Sequence, residues 1–559
     1  MSTLKKWGKR FLYLLLLLAI GLFALDWWLD LTPPSIADQH AWQLERTQVD
    51  EHSYTIGKNW LQKNKAGLWE AYVEGTPFER GAILGNLTQE LIVQQEVYFV
   101  QQIKELVDSE VFLYVLRYLI GFFNRNLPHY IPLEYQQEIY GEAYFYSQAF
   151  SAIGSNYERA LNYHAAHDIG HALSDYAVVG CTSFATWDSN SVNEQLLIGR
   201  NFDFYVGENF AKDKMILFMR PDSGYAFASV TWGGFLGIVS GMNEQGLTVT
   251  LNAAQSGIPN VAKTPISIVA RRILQYAQNI EEALAIAQEY ETFVSESLLI
   301  GSAEDEKAVI IEKSVDKLAM YESLSPQIIC SNHYQSDSFA YDPDNLYNIK
   351  NSASNYRQIR TQALLDQYGA LDYQKAATIL RDTKGHHNKN IGLGNEKALN
   401  QLQGHHAVIF EPQKRLIWVS TAPYQLGKFL AYDLNMVFNT TGLPQQDLSI
   451  DSLTIAADSF ANTQVFADYI QFRTLKQQVL TWIADGKAYT AEQGRKAAQL
   501  TVLNPNYYHA HALLGDYYQA KEQCALAIPA YLTALGLEIA TKEEEQIILE
   551  HLYRCQESQ

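Results

Sequence analysis

Gly180-Cys181-Thr182-Ser183, followed at short range by Gly199-Arg200-Asn201-Phe202-Asp203-Phe204, is the stretch on which the reading of this chain turns. Cleavage of the Gly180–Cys181 bond would make the cysteine the first residue of a new subunit. Its freed α-amine would then act as the thiol's own general base, so no histidine partner is required. Arg200 and Asp203 stand three residues apart near a predicted strand end. That spacing suits them to pair with each other and with a terminal amine.

Outward from this stretch, the chain from Thr182 to about Ser323 carries short β-rich runs, among them Gln195 to Ile198, Met215 to Met219, Tyr225 to Thr231, Leu247 to Leu251 and Ala308 to Ile311. Helical stretches are predicted at Ile266 to Glu289 and Ser352 to Gln367. Ala407 to Phe410 and Leu416 to Ser420 flank the polar Glu411-Pro412-Gln413-Lys414 and read as a hairpin. Sheets with helices on their outer faces satisfy this order of elements.

Upstream, residues 31–180 read as a helical leader, with apolar spacing over Thr88 to Leu106, Val111 to Phe123 and Leu133 to Phe150. Downstream of Thr440-Thr441-Gly442-Leu443-Pro444 the β character is lost, and a helical domain is expected over 455–559. Within it, Leu514-Gly515, Tyr518, Ala527, Tyr531 and Ala534 fall at the relative spacing of a tetratricopeptide repeat. The organisation is therefore 1–30, 31–180, 181–440 as a catalytic body, and 455–559.

Segment 1–30 places Lys5, Lys6, Lys9 and Arg10 before the apolar run Phe11 to Leu25, with Trp27 and Trp28 as interfacial aromatics. No Ala-x-Ala site follows, so it reads as an uncleaved signal anchor, with a removed signal peptide as the alternative. The basic flank predicts a cytoplasmic amino terminus and an exported remainder, periplasmic in a bacterium. The chain has 559 residues and a net charge of -19 with a pI near 5.2, which argues against a nucleic-acid partner.

Further chemistry is offered by Asn252, where the run Gly246 to Leu251 ends, and by Asn332, after the apolar Ile328-Ile329-Cys330. An asparagine NH2 donates to an oxyanion without changing the charge of the site. Arg357 and Arg360 share one face of a predicted helix. Of the four cysteines, Cys330 reads as a core thiol, and pairing of Cys524 with Cys555 is left open. His164, His167, Asp168 and His171 share a helical face, yet the His-Glu-x-x-His pattern is missing and no metal is assigned. No glycine-rich phosphate loop calls for a nucleotide or other cofactor.

Taken in order, these segments resemble the N-terminal-nucleophile hydrolases of the choloylglycine hydrolase and isopenicillin N acyltransferase (peptidase C45) type, over roughly residues 70 to 435. Gly180-Cys181-Thr182-Ser183 looks like the family's autocleavage junction, and Arg200, Asn201 and Asp203 look like its Arg-Asn-x-Asp element. Asn252 and Asn332 resemble its oxyanion asparagines, Ser354-Asn355-Tyr356-Arg357 a helix bearing a further active-site arginine, and Gly75 to Gly81 the opening of the acyltransferase branch. The resemblance implies an α+β, four-layer αββα fold with two antiparallel sheets. It also implies a self-cleaving cysteine enzyme acting on N-acyl amides or thioesters, with Cys181, Arg200, Asp203, Asn252, Asn332 and Arg357 as its site. The expected partners are an amphiphilic N-acyl substrate, the membrane through the anchor, and a protein on the carboxy-terminal repeats. The alternative is a catalytically weak or inactive scaffold that recruits a protein partner through those repeats.

Overall fold

The structure, a computed structural model, describes residues 28–106, 110–173, 180–204, 207, 209–256 and 261–558, with Tyr13, Leu16, Ile20, Gly21 and Leu25. The expected anchor Phe11 to Leu25 lies mostly outside the described residues. Among those described, no helix is long and apolar enough to cross a membrane.

The described strands are β1 (Thr47–Asp50), β2 (Ser53–Ile56), β3 (Asn59–Lys63), β4 (Trp69–Gly75), β5 (Thr182–Asp188), β6 (Glu194–Phe202), β7 (Met215–Pro221), β8 (Phe227–Thr231) and β9 (Ser240–Asn243). They continue with β10 (Leu247–Ala253), β11 (Glu296–Ser302), β12 (Lys307–Lys313), β13 (Leu318–Tyr321), β14 (Gln327–Cys330), β15 (His406–Glu411), β16 (Leu416–Ser420) and β17 (Phe429–Asp433). One sheet runs β1-β2-β3-β4-β7-β8-β9-β10-β11-β12-β13 and the other β14-β5-β6-β15-β16-β17.

Both sheets are covered on both faces, which is why their strands read as continuous apolar runs rather than as alternation. Along β15, Val408 and Phe410 face the opposite sheet, while Ala407 and Ile409 face a helical layer that contributes Leu364 and Ile379. Along β7, Ile216 and Phe218 join the inter-sheet core, and Leu217 and Met219 face helices carrying Leu84, Ile139 and Ile273. The side-chain period of two thus builds four layers, helix, sheet, sheet, helix.

Three expectations are corrected. The leader 31–180 is not only helical: β1 to β4 occupy Thr47 to Gly75 and extend the larger sheet. The sheets are not wholly antiparallel, because β4 pairs parallel with β7, Trp69 opposite Met215 through Gly75 opposite Pro221. That seam joins leader to catalytic body. The stretch Ile266 to Glu289 is two helices, Ile266–Tyr276 and Ile280–Glu289, because the Asn279 side chain accepts from Glu282 N and starts the second. The predicted hairpin forms, with Val408 opposite Val419.

The leader helix Pro77–Leu87 opens with a capping box, Thr76 with Glu79, and Pro77 at its first turn. It crosses helix Leu133–Ala143 so closely that a Cβ on Gly81 would lie 1.8 Å from the Glu138 carbonyl oxygen. The carboxy-terminal domain contains helices Gln464–Ala484, Ala491–Leu503, Tyr508–Ala520, Cys524–Leu535 and Lys542–Glu557. Gly515 lies against the Tyr531 ring, and a disulfide joins Cys524 to Cys555. The core of this domain also takes in Leu402 and Leu426 of the catalytic body.

Candidate active site

β5 begins immediately after Cys181 and pairs with β6, setting Thr182 opposite Asn201 and Ser183 opposite Arg200. This register lays the Gly180–Cys181 bond beside the Arg200 to Asp203 segment. Gly180 N donates to the Asp203 carbonyl at 2.9 Å, and Arg200 Nη2 lies 3.8 Å from Cys181 Sγ. The thiol is buried, and burial pushes it up to about 11 against the opposing charge of Arg200. It is therefore protonated at neutral pH in the uncut chain.

Arg200 is held by acceptors on the neighbouring sheet: the Val239 carbonyl at 2.7 Å, Ser240 Oγ and the Leu251 carbonyl. Ser240 Oγ in turn meets His406 Nε2 at 2.8 Å. The direct pairing of Arg200 with Asp203 expected from their spacing is not made, because the guanidinium is committed to those carbonyls. Asp203 is buried and its carboxylate has no hydrogen-bond partner among the described residues. Burial raises its pKa to about 7, although Arg357 and Arg200 act against the rise. Gly404 leaves the space the carboxylate fills; a Cβ there would sit 2.3 Å from Asp203 Oδ1.

Asn252 and Asn332 tie two strand ends together reciprocally. Asn252 Nδ2 donates to the Cys330 carbonyl and Asn332 Nδ2 to the Ala253 carbonyl, each at 2.9 Å. Asn252 Oδ1 accepts from Ser183 Oγ at 2.8 Å, and Asn332 Oδ1 accepts from Arg357. Each primary amide has two N–H groups, so one on each side chain is not used by these bonds. Arg357 also donates from Nε to Thr182 Oγ1 at 3.2 Å and from Nη1 to the Glu396 carbonyl at 2.9 Å. Arg360, on the same helix, turns to Asp382 at 2.9 Å and away from this group. Asn201 braces the rear, with Nδ2 donating to the Leu380 and Leu399 carbonyls at 2.8 Å.

Two groups were missed from sequence. Gln401 Nε2 donates to the Gly180 carbonyl at 2.9 Å, and His406 supports Ser240 beneath Arg200. Gln401 is 221 residues from its partner in a segment without periodic pattern, so no local signal marks it. His164 and Asp168 are structural: His164 Nε2 accepts from Leu236 N at 2.9 Å, and Asp168 accepts from Ile266 N at 2.8 Å. The side chains of His167 and His171 lie outside those described. Cys330 is a buried free thiol.

The family described as acyl-coenzyme A:6-aminopenicillanic acid acyl-transferase matches residues 189–423, starting just after the proposed nucleophile. An uncharacterized protein of Archaeoglobus fulgidus is 23% identical over 349 residues, covering 56% of this chain and 58% of the relative. The chain thus spans little more than half the length of that curated relative. An N-acylethanolamine-hydrolyzing acid amidase ortholog of Caenorhabditis elegans is similar at 16% identity and a TM-score of 0.30, covering 42% of this chain and 93% of that one. A conjugated bile acid hydrolase of Clostridium perfringens is similar at 15% identity and a TM-score of 0.32, with coverages of 49% and 99%. The family match across 189–423 covers the segment that carries Arg200, Asp203, Asn252, Asn332 and Arg357, and over it the chain is similar to the acyl-coenzyme A:6-aminopenicillanic acid acyl-transferase family.

Proposed function

We propose that the chain is an exported, self-cleaving cysteine amidohydrolase or acyltransferase acting on N-acyl amides or thioesters, cut between Gly180 and Cys181. The observation that carries this reading is the buried, unpartnered carboxylate of Asp203, whose main-chain carbonyl accepts from Gly180 N next to the bond whose cleavage would create an amine. In the first step Cys181 Sγ adds to the Gly180 carbonyl carbon. The C–N bond breaks, the departing nitrogen takes up the thiol proton, and a thioester links Gly180 to Sγ. Water hydrolyses that thioester, leaving a Gly180 carboxylate, a free thiol and the α-amine of Cys181.

A free α-amine has a pKa of about 8, within reach of the general-base role at neutral pH. Asp203 accepts a hydrogen bond from this amine and holds its orientation. Cys181 then attacks the substrate carbonyl, the amine taking the thiol proton and returning it to the leaving nitrogen. The second N–H groups of Asn252 and Asn332 serve the tetrahedral oxyanion, and Arg357 fixes Asn332 through its Oδ1. Water or an acceptor amine resolves the acyl-enzyme.

An aromatic cavity of about 50 Å³ opens between Phe99 and Tyr146 of the leader and Phe204, Phe210, Trp232 and Phe235 of the body. It begins one residue beyond Asp203, is also lined by Gln95 and Glu96, and has room for a short apolar group. Export is supported by the Cys524–Cys555 disulfide, a bond that persists in oxidising compartments, and by the basic-then-apolar amino terminus. Intact-mass analysis tests the reading: products ending at Gly180 and starting at Cys181 support it. A wild-type chain that stays whole, as the inactive scaffold would, sinks it.

A further inference from the structure

The structure assigns to Gln401 a catalytic role in self-cleavage: it is the oxyanion donor for the scissile Gly180 carbonyl, and the carboxy-terminal helical domain holds it there. This inference rests on the self-cleavage reading and goes beyond it by separating the donors for the internal bond from those for substrate.

Gln401 is almost wholly buried, and its Nε2 lies 2.9 Å from Gly180 O. A carbonyl oxygen can only accept, so the amide must face it with its NH2 group. The other end of the amide agrees, since Gln401 Oε1 accepts from Gln403 Nε2 at 3.0 Å. When Sγ adds to the Gly180 carbon, this same oxygen takes the negative charge. A neutral donor already aimed at it needs no reorganisation to stabilise that charge. Among the described residues neither Asn252 nor Asn332 donates to the Gly180 carbonyl; their bonded N–H groups run to the Cys330 and Ala253 carbonyls. The contact also explains the glycine: a Cβ on residue 180 would lie 2.2 Å from Gln401 Nε2 and push the donor aside.

The neighbours of Gln401 are fixed by the helical domain. Leu402 has a left-handed backbone, φ +53°, and its side chain enters the core of that domain. Its carbonyl accepts from Tyr469 Oη and Arg473 Nη1, both at 3.3 Å. Further back, Leu393 N donates to Asn504 Oδ1 at 3.1 Å while Asn504 Nδ2 donates to Leu393 O at 2.8 Å. Gly392 lies against the Tyr507 backbone, where a Cβ would come within 2.4 Å. The strand of contacts from Leu393 to Leu402 therefore runs directly from the helical domain to the scissile carbonyl.

The test follows self-cleavage of the full-length chain by intact mass in wild type, Cys181→Ala, Gln401→Ala, Gln401→Glu and Asn504→Ala. Gln401→Ala is expected to slow cleavage by about 10² to 10³, the usual loss for one oxyanion donor. Its near-ultraviolet circular dichroism should match that of the uncut Cys181→Ala protein. Asn504→Ala should slow cleavage by a smaller factor. In Gln401→Glu a carboxylate can only accept and a carboxylic acid can donate, so the ratio of its rate to wild type should climb as pH falls. Cys181, Arg200, Asp203, Arg357, Glu396 and Arg473, charged or titratable groups on the contacting elements, are common to both proteins and cancel in that ratio. A merely structural glutamine would give no such acid recovery. Wild-type cleavage in Gln401→Ala, or a pH-independent ratio for Gln401→Glu, overturns the inference while leaving self-cleavage standing. A wild type that never cleaves overturns both.

Discussion

Glu138 and Asp203 are both buried carboxylates with two arginines close at hand, and they have opposite fates. Glu138, on the leader helix, receives Arg80 at 2.9 Å and Arg271 at 3.2 Å, and those two cations hold it below the usual carboxylate range despite its burial. Asp203 has Arg200 and Arg357 as neighbours in charge only, and burial wins, carrying it to about 7. The difference is one of completion. Glu138 already has its partners and welds the leader to helix Ile266–Tyr276 of the body. Asp203 has no such partner among the described residues, and under the proposed cleavage the new α-amine of Cys181 would supply one. A buried ion pair that is satisfied is a joint, and one left open beside a thiol is chemistry in waiting.

The strongest way to break this contrast is to remove the open carboxylate's charge. Asp203→Asn should lower turnover of the processed enzyme by about 10² to 10⁴, the range for a lost oxyanion donor or a lost orienting carboxylate. Steady-state kinetics on a fluorogenic N-acyl amide would measure it. Glu138→Ala should leave the chemistry of Cys181 in place but strip Arg271 of its carboxylate and leave Arg80 with Asp222 alone, costing about 3 to 5 kcal/mol in chemical denaturation.

A sharper comparison sits on one helix. Arg357→Ala frees Asn332 and Thr182 and should cost about 10² in rate. Arg360→Ala breaks the pair with Asp382 and the bond to Asn388, and should cost about 2 kcal/mol of stability with the rate almost unchanged. Equal rates in the two variants would remove Arg357 from the site.

The smallest effect is a pH signature in the uncut Cys181→Ala background. The carboxyl of Asp203 is raised from 3.8 to about 7 in the folded chain, so folding favours its protonated form. Below pH 4 it is neutral in both states and costs nothing. As pH rises through 4 towards 7 the unfolded state ionises first, and stability is lost. Adding Asp203→Asn should therefore stabilise the uncut protein above pH 7, with the gain fading towards pH 4 in thermal unfolding. A gain that is independent of pH would contradict the open-carboxylate picture.

Much of the catalytic body was legible because its strands are buried on both faces, so Ala308 to Ile311 stands out as an unbroken apolar run and Leu247 to Leu251 as Leu, Val and Leu spaced by β-branched Thr. β1 and β2 were not legible: they are short, β1 is exposed throughout, and Thr47-Gln48-Val49-Asp50 carries no period that a strand needs for burial. The proposed nucleophile Cys181 shares one stretch of 24 residues, Gly180 to Asp203, with Arg200, Asn201 and Asp203, so the resemblance could be read there, although the Arg200–Asp203 pairing expected from spacing is not made. Gln401 was invisible because its contact is made by tertiary docking of a segment pinned on a distant helical domain. The i, i+3 spacing of Arg357 and Arg360 places both on one helical face but cannot say which guanidinium reaches the strands; only packing against Asp382 decides.

Intact-mass analysis of the freshly purified full chain, beside Cys181→Ala, tests the central claim most directly. The account predicts that wild type yields a product beginning at Cys181 while Cys181→Ala stays whole. Wild-type protein that remains a single uncut chain would contradict it.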